Sequence, residues 1–287
     1  MNKVRSYILA LACFTGLNSC AQVKPMQDSS NPVSPATTKS DSFKLERIIP
    51  GMFNFMDVDV LNNLYLVTAS NQLKKINARG DSMGVFNDVK KYGNPSLIDV
   101  TNPLKVLLYY KNYATVVILD RFLSQRNSIN FRQQNIFRVK AIATSYDNNI
   151  WVFDEQGMNL KKINEEGAML QESTDWRQLM NEVPSPEIII DHNQFVYLYD
   201  PQKGFYIFDY YGTFKNNLPF LHWENVSVQA NRLSGFTNNQ FFTYELQTLN
   251  LKTYNLPGSF KDYSGIRAMN GKIYLLKKDG IEIYAVQ

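Results

Sequence analysis

Six self-similar stretches between Asn63 and Leu276, recurring every 38 to 45 residues, predict an all-β fold: a six-bladed β-propeller with four antiparallel strands per blade. Two further observations support that reading. From Phe43 onward apolar and polar residues alternate in short runs separated by Asn, Asp and Gly, the pattern of half-buried strands, and no window carries a long helical periodicity. The last repeat is also one strand short while the repeat region opens with one strand to spare, so the N-terminal strand closes the ring.

The elements before the repeats read as an address and a spacer. Lys3 and Arg5 precede an apolar run starting at Ile8–Ala12, which ends in Leu17-Asn18-Ser19-Cys20. The run is shorter than the ~20 apolar residues a membrane-spanning helix needs, and its small-residue end is that of an export signal. Leu17, Ser19 and Cys20 together resemble the lipobox of bacterial lipoproteins. The resemblance implies cleavage before Cys20 and acylation of both its thiol and its new amino group. The other cysteine, Cys13, falls inside the signal, so Cys20 is left without a disulfide partner. Residues 1–19 are therefore expected to be a signal peptide and residues 20–42 a lipidated tether, with residues 43–287 forming the propeller. The tether holds Pro25, Pro32 and Pro35 among many Ser and Thr, with no apolar periodicity. As a coil its ends would lie about 25 Å apart. The expected location is the outer membrane, through the lipid anchor, on either its periplasmic or its outer side.

Charge narrows the partners. Without Lys3 and Arg5 the 30 Lys and Arg fall to 28, against 26 Asp and Glu, a balance of +2. Nucleic-acid binding needs a marked basic excess, so it is excluded as an expectation. With no disulfide available, a large core must carry stability, and a body of this size buries roughly 70–75% of its unfolded surface.

Within the body, the second strands are Asn63–Val67, Leu104–Leu108, Asn149–Phe153, Gln194–Leu198, Arg232–Phe236 and Lys272–Leu276. The third strands repeat more closely. Leu73-Lys74-Lys75-Ile76-Asn77 with Gly80 returns as Leu160-Lys161-Lys162-Ile163-Asn164 with Gly167, two repeats later. Ile118-Leu119-Asp120 and Ile207-Phe208-Asp209 with Gly212 hold the corresponding places. Blade four shows the whole unit: Pro186–Asp191, Phe195–Tyr199, Gly204–Asp209 and Thr213–Leu218. The final repeat offers Gly265–Met269, Lys272–Leu276 and Ile281–Val286. Phe43–Ile49 supplies its fourth strand, with Leu45, Ile48 and Ile49 as core candidates. The run Ile189–Asp200, with its Asp, tight turn, apolar-aromatic strand and closing Asp, resembles the blade motif of NHL-like six-bladed propellers. With the lipobox and the Asn- and Tyr-rich composition, the chain also resembles propeller lipoproteins of the Bacteroidota. Such folds serve lactonases, lyases, receptors and scaffolds, so they imply architecture and not activity.

Chemistry-bearing patterns are sparse. Of the two histidines, His192 reads as a turn residue and His222 as packing at a blade joint. No His/Cys set has metal-ligand spacing, and no phosphate loop or nucleophile elbow occurs. Asp59, Asp99 and Asp191 at first-strand ends, and Asp154 and Asp200 at second-strand ends, read as structural turn caps. Arg79-Gly80-Asp81 spells an adhesion tripeptide whose Gly80 the repeated hairpin already explains, and Asp81-Ser82-Met83 resembles a short O-glycosylation motif. Loops from second to third strands and from each fourth strand to the next blade share one face. That face carries Tyr110, Lys111, Tyr113, Arg132, Gln134, Trp176, Arg177, Lys203 and Trp223, residue types enriched at protein interfaces. The expectation is a non-catalytic, membrane-tethered interaction subunit of a cell-envelope complex, using no cofactor and engaging a protein through Tyr110, Tyr113, Arg132, Trp176, Arg177, Lys203 and Trp223. A metal-dependent hydrolase of lactonase type and a glycan- or ligand-binding lipoprotein stay open as alternatives.

Overall fold

A computed structural model describes residues 43–180, 182–237 and 239–286. Cys20 and the rest of residues 1–42 lie outside the described residues. The described strands form six four-stranded antiparallel sheets. Blade one is β2 (Phe53–Val58), β3 (Leu64–Thr68), β4 (Leu73–Ile76) and β5 (Ser82–Phe86). Blade two follows with β6 (Leu97–Asn102), β7 (Lys105–Tyr110), β8 (Thr115–Asp120) and β9 (Gln125–Asn130). Blade three is β10 (Val139–Thr144), β11 (Ile150–Asp154), β12 (Asn159–Ile163) and β13 (Met169–Glu172). Blade four is β14 (Ile188–His192), β15 (Phe195–Asp200), β16 (Gly204–Asp209) and β17 (Phe214–Leu218). Blade five is β18 (Glu224–Gln229), β19 (Arg232–Thr237), β20 (Gln240–Glu245) and β21 (Asn250–Asn255). Blade six combines β22 (Tyr263–Met269), β23 (Lys272–Lys277) and β24 (Gly280–Val286) with β1 (Phe43–Pro50), in the order β1-β24-β23-β22. Phe43 pairs with Val286 and Pro50 with Gly280, as the spare N-terminal strand predicts.

Two-residue alternation explains the core. Successive side chains of a strand point to opposite faces, and each blade lies between two neighbours, so both faces are buried. Thus all of Lys105–Tyr110 is buried. On β15, Val196 and Leu198 pack into the seam with blade three, whereas Tyr197 and Tyr199 pack into the seam with blade five. Six apolar clusters result, each filling one seam.

The strongest sequence repeat has a local cause. Lys75 and Tyr65 are register partners, as are Lys162 and Trp151. Each ammonium lies over its partner's ring, at 4.9 Å in both blades. Lys75 also donates to the Pro103 and Arg121 carbonyls of blade two, and Lys162 pairs with Asp147. Gly80, Gly167 and Gly212 all take positive φ at the following hairpin, where a side chain would be strained.

The closing strand corrects one expectation. A bulge between Leu45 and Arg47 reverses the inward face of β1. Phe43 packs into the blade five–six seam and Ile49 into the blade six–one seam, while Leu45 and Ile48 are exposed. One outer strand thereby serves two seams.

Candidate functional site: the loop face and the central channel

Five of the six loops that cross from one blade to the next lower an aromatic ring into the seam they pass; the short crossing from β1 to β2 carries none. Tyr92, on the single-turn helix α1 (Val89–Tyr92), stacks on Tyr110 at 4.9 Å in the blade one–two seam. Phe131 fills the next seam against Tyr109 at 5.6 Å. Trp176, fully buried, lies between Phe153 at 5.2 Å and Phe208 at 4.9 Å. Its backbone N–H donates to Met158, but its indole Nε1 has no protein partner. Trp223 stacks on Phe220 at 4.6 Å and on Phe242 at 5.3 Å, and its N–H donates to the Tyr199 hydroxyl. A Cβ on Gly235 would come within 2.8 Å of the Trp223 ring, which explains why this second strand departs from the repeat. Phe260 closes the blade five–six seam.

This placement corrects the expected partner surface. Tyr110, at the end of β7, and the loop residues Trp176 and Trp223 are interior packing, each buried in a seam between blades. The signal was present: Tyr92, Phe131, Trp176, Trp223 and Phe260 recur every 37 to 47 residues, close to the blade period. A periodic aromatic belongs to the repeat and not to a unique site.

What stays outward on the loop face is smaller. Tyr113 (48% exposed) rests edge-on against Tyr92. Arg132 is exposed on the turn after β9, where its backbone N–H donates to Asn130 Oδ1 at 3.0 Å. Arg177 is exposed and forms a two-pronged pair with Asp175, Nε to Oδ1 at 2.9 Å and Nη2 to Oδ2 at 2.6 Å. The Arg177 hydrogen bonds hold the Asp175 carboxyl below its usual range. Lys203 is half-buried and donates to the Val183 carbonyl at 2.7 Å. Leu179 (62% exposed) stands beside Arg177.

The first strands enclose a channel of about 620 Å³ lined by residues such as Phe55, Ile98, Ile142, Ile190 and Val228. Within it Arg267 of blade six pairs with Asp57 of blade one at 2.9 Å. Asp59, Asp99 and Asp191 approach its turn-side end, as expected, but their oxygens are engaged. Asp59 accepts from the Leu61 and Asn63 backbones, Asn63 Nδ2 and the Tyr65 hydroxyl. Asp99 accepts from Thr101 and, across the seam, from the Thr144 N–H at 2.5 Å. Asp191 accepts from Ser145, Tyr146 and Trp151 of blade three and from Tyr210. Asp154 binds Lys161 and the Gln156 N–H, and Asp200 the Ser185 and Gln202 N–H groups. These five carboxylates hold turns and seams together.

Among the described residues no group of three or more His, Cys, Asp or Glu is arranged to hold a metal ion. His192 Nε2 bonds the Ala230 carbonyl at 2.7 Å, tying blade four to blade five. The His222 side chain is exposed, contrary to the expected packing, because Trp223 takes the joint instead. Ser82 is exposed at the start of β5. Among the described residues no helix is long and apolar enough to cross a membrane.

These features define a six-bladed β-propeller whose channel carboxylates are structural. No family model matches the chain, and no curated protein matches its sequence. Solved structures are similar in fold. A catalytically inactive virginiamycin B lyase from Staphylococcus aureus with quinupristin superposes with a TM-score of 0.57 at 11% identity, over 86% of this chain and 100% of that one. The Neurospora crassa Pan2 WD40 domain gives 0.56 at 10% identity, over 85% and 81%. The extracellular domain of a putative hybrid two-component system from B. thetaiotaomicron gives 0.52 at 14% identity, over 82% of this chain and 33% of that one. At such identities the likeness is one of fold alone.

Proposed function

We propose that the protein is a lipid-anchored, non-catalytic propeller that docks a protein partner of the cell envelope through its loop face. The observation carrying this is the contrast on that face between plugged seams and the outward groups Tyr113, Arg132, Arg177 and Leu179. A rigid ring presenting an aromatic, two guanidinium groups and an aliphatic chain offers the residue types that dominate interface energetics, held at little entropic cost. Lipidation at Cys20 supplies the membrane attachment, and the near-neutral charge suits a protein partner better than a polyanion.

The test is affinity recovery from detergent-solubilised envelopes, with chemical cross-linking before extraction. Tyr113→Ala with Leu179→Ala should lower recovery of the cross-linked protein at least tenfold while the melting temperature holds. Truncation of interface anchors of this kind costs about 2 kcal/mol or more. Undiminished recovery, or no cross-linked protein at all, rejects the docking role. Unchanged membrane fractionation of Cys20→Ser after a high-salt wash rejects the anchor. One observation favours a second reading: the channel volume falls within the ~300–1,000 Å³ of small-molecule sites and contains one charged pair. Ligand-induced melting shifts lost in Arg267→Ala would favour that reading.

A further inference from the structure

The central channel has two unlike walls. In a ring of six, blades three and four stand across it from blades six and one. The far wall carries Ile142, Ile188 and Ile190, with Ile98 and Val228 beside them. On the near wall Arg267 meets Asp57, both half-buried.

That pair is joined by one prong only. Arg267 Nε donates to Asp57 Oδ1 at 2.9 Å, and Nη1 donates to the Ile266 carbonyl at 3.1 Å. The Val58 N–H donates to the same Oδ1 at 2.8 Å. Among the described residues, Arg267 Nη2 and Asp57 Oδ2 are left without a hydrogen-bond partner. A positively charged donor and a negatively charged acceptor are thus held side by side by bonds that already fix both groups. Fixing them in advance lowers the ordering cost of binding.

Charge around the channel argues against simpler ligands. The lining bears five carboxylates, Asp57, Asp59, Asp99, Glu187 and Asp191, against the Arg267 guanidinium. Glu187 is matched by Lys140 at 3.4 Å, but the donors to Asp59, Asp99 and Asp191 are all neutral. Their field repels a molecule that carries a carboxylate alone. A molecule that carries an ammonium alone leaves the Arg267 donor unmatched. A zwitterion whose two charges sit on one carbon answers both groups at once and offers its side chain to the isoleucine wall.

We propose that the channel binds a free α-amino acid with an aliphatic or aromatic side chain, its carboxylate on Arg267 Nη2 and its ammonium on Asp57 Oδ2. The assignment rests on the small-molecule reading of the channel and is independent of docking at the loop face. The cavity of about 620 Å³ leaves room for a large side chain.

The test is isothermal titration calorimetry on the full-length chain in mild detergent. Leucine and phenylalanine are compared with isocaproate, which lacks the ammonium, isoamylamine, which lacks the carboxylate, and glycine, which lacks the side chain. Both amino acids should bind, and each truncation should weaken binding about tenfold or more, the usual worth of a charged hydrogen bond or a buried branched side chain. Arg267→Ala and Asp57→Asn should weaken leucine by at least as much. No binding of either amino acid overturns the proposal. So does isocaproate or isoamylamine bound as tightly as leucine, or leucine binding undiminished in either variant. These substitutions cut a tie between blades six and one; where a variant fails to fold, the ligand series on the unaltered chain decides. A different small molecule whose melting shift is lost in Arg267→Ala, with neither amino acid bound, keeps the small-molecule reading and rejects this one.

Discussion

The blade three–four seam and the blade five–six seam are built to the same plan and filled to different degrees. In the first, Trp176 is sandwiched between Phe153 and Phe208, and Asp191 gathers four donors from both blades. In the second, Phe236, Leu256, Phe260, Ile266, Ile273 and Leu275 are buried, but Phe241 and Tyr263 are covered only in part. A groove of about 490 Å³ runs beside them, lined by Phe43, Phe241, Tyr254 and the hydroxyls of Ser234 and Thr243. The polar bridge there is Gln229 Nε2, at 3.5 Å from the Ala268 carbonyl and 3.3 Å from the Met269 sulfur. Blade six is assembled from both ends of the repeat region, and blade five carries the least regular second strand. Packing is therefore not shared evenly around a ring of similar units, and local stability should follow it.

The largest effect should follow from removing the strand both seams of blade six depend on. Deleting residues 43–49 strips Phe43 and Ile49 from two seams and exposes the β24 edge. Burial of a few such side chains is comparable with a whole domain's margin of ~5–15 kcal/mol. The variant should show no cooperative melting by circular dichroism. Trp176→Ala should come next, losing about 3–5 kcal/mol in urea titration, the usual cost of emptying a fully buried aromatic site. Asp191→Asn should cost about 1–3 kcal/mol, because a carboxylate gathering four donors becomes an amide that cannot accept them all. Phe241→Ala, in the open seam, should cost about 1–2 kcal/mol, less than a fully buried aromatic, since a half-exposed ring leaves little cavity. If Phe241→Ala equals or exceeds Trp176→Ala, the uneven-ring view fails.

The smallest effect under ordinary conditions is one of pH. Burial pushes Tyr199 and Tyr274 up to about 12, and burial with Asp59 raises Tyr65 further. A tyrosine whose folded pKa exceeds its unfolded value of 10.0 keeps its proton where the unfolded chain has lost it. Its contribution is complete below pH 10 and is lost as pH rises through the folded value. Burial lowers Lys75 and Lys105, which works in the opposite sense below 10.5. Melting temperature should therefore hold to about pH 9 and fall steeply beyond 10 in step with tyrosinate absorbance. A flat profile to pH 12 would contradict the buried tyrosines.

Much of this architecture was legible from the residues. Strand positions followed from alternation, and the matching pentapeptides at Leu73 and Leu160 located two equivalent blades because each lysine must meet the same kind of ring. The missing strand pointed to β1. What alternation could not show was the bulge at Leu45/Arg47, since one extra residue reverses the face without altering the pattern's appearance. The loop aromatics misled for a related reason. A tryptophan outside a strand looks free, yet neighbouring blades diverge where loops cross between them, and a ring must fill the gap. Composition could place Trp176 and Trp223 on one face but not at one depth.

The pairing of Phe43 with Val286 also bears on how the molecule comes into being. β1 has no partner until β24, five blades later, has been made. Closing so long a loop carries an entropic cost that only the finished ring recovers. A chain built this way stays open until β24 is in place. The ring is complete only when that strand arrives.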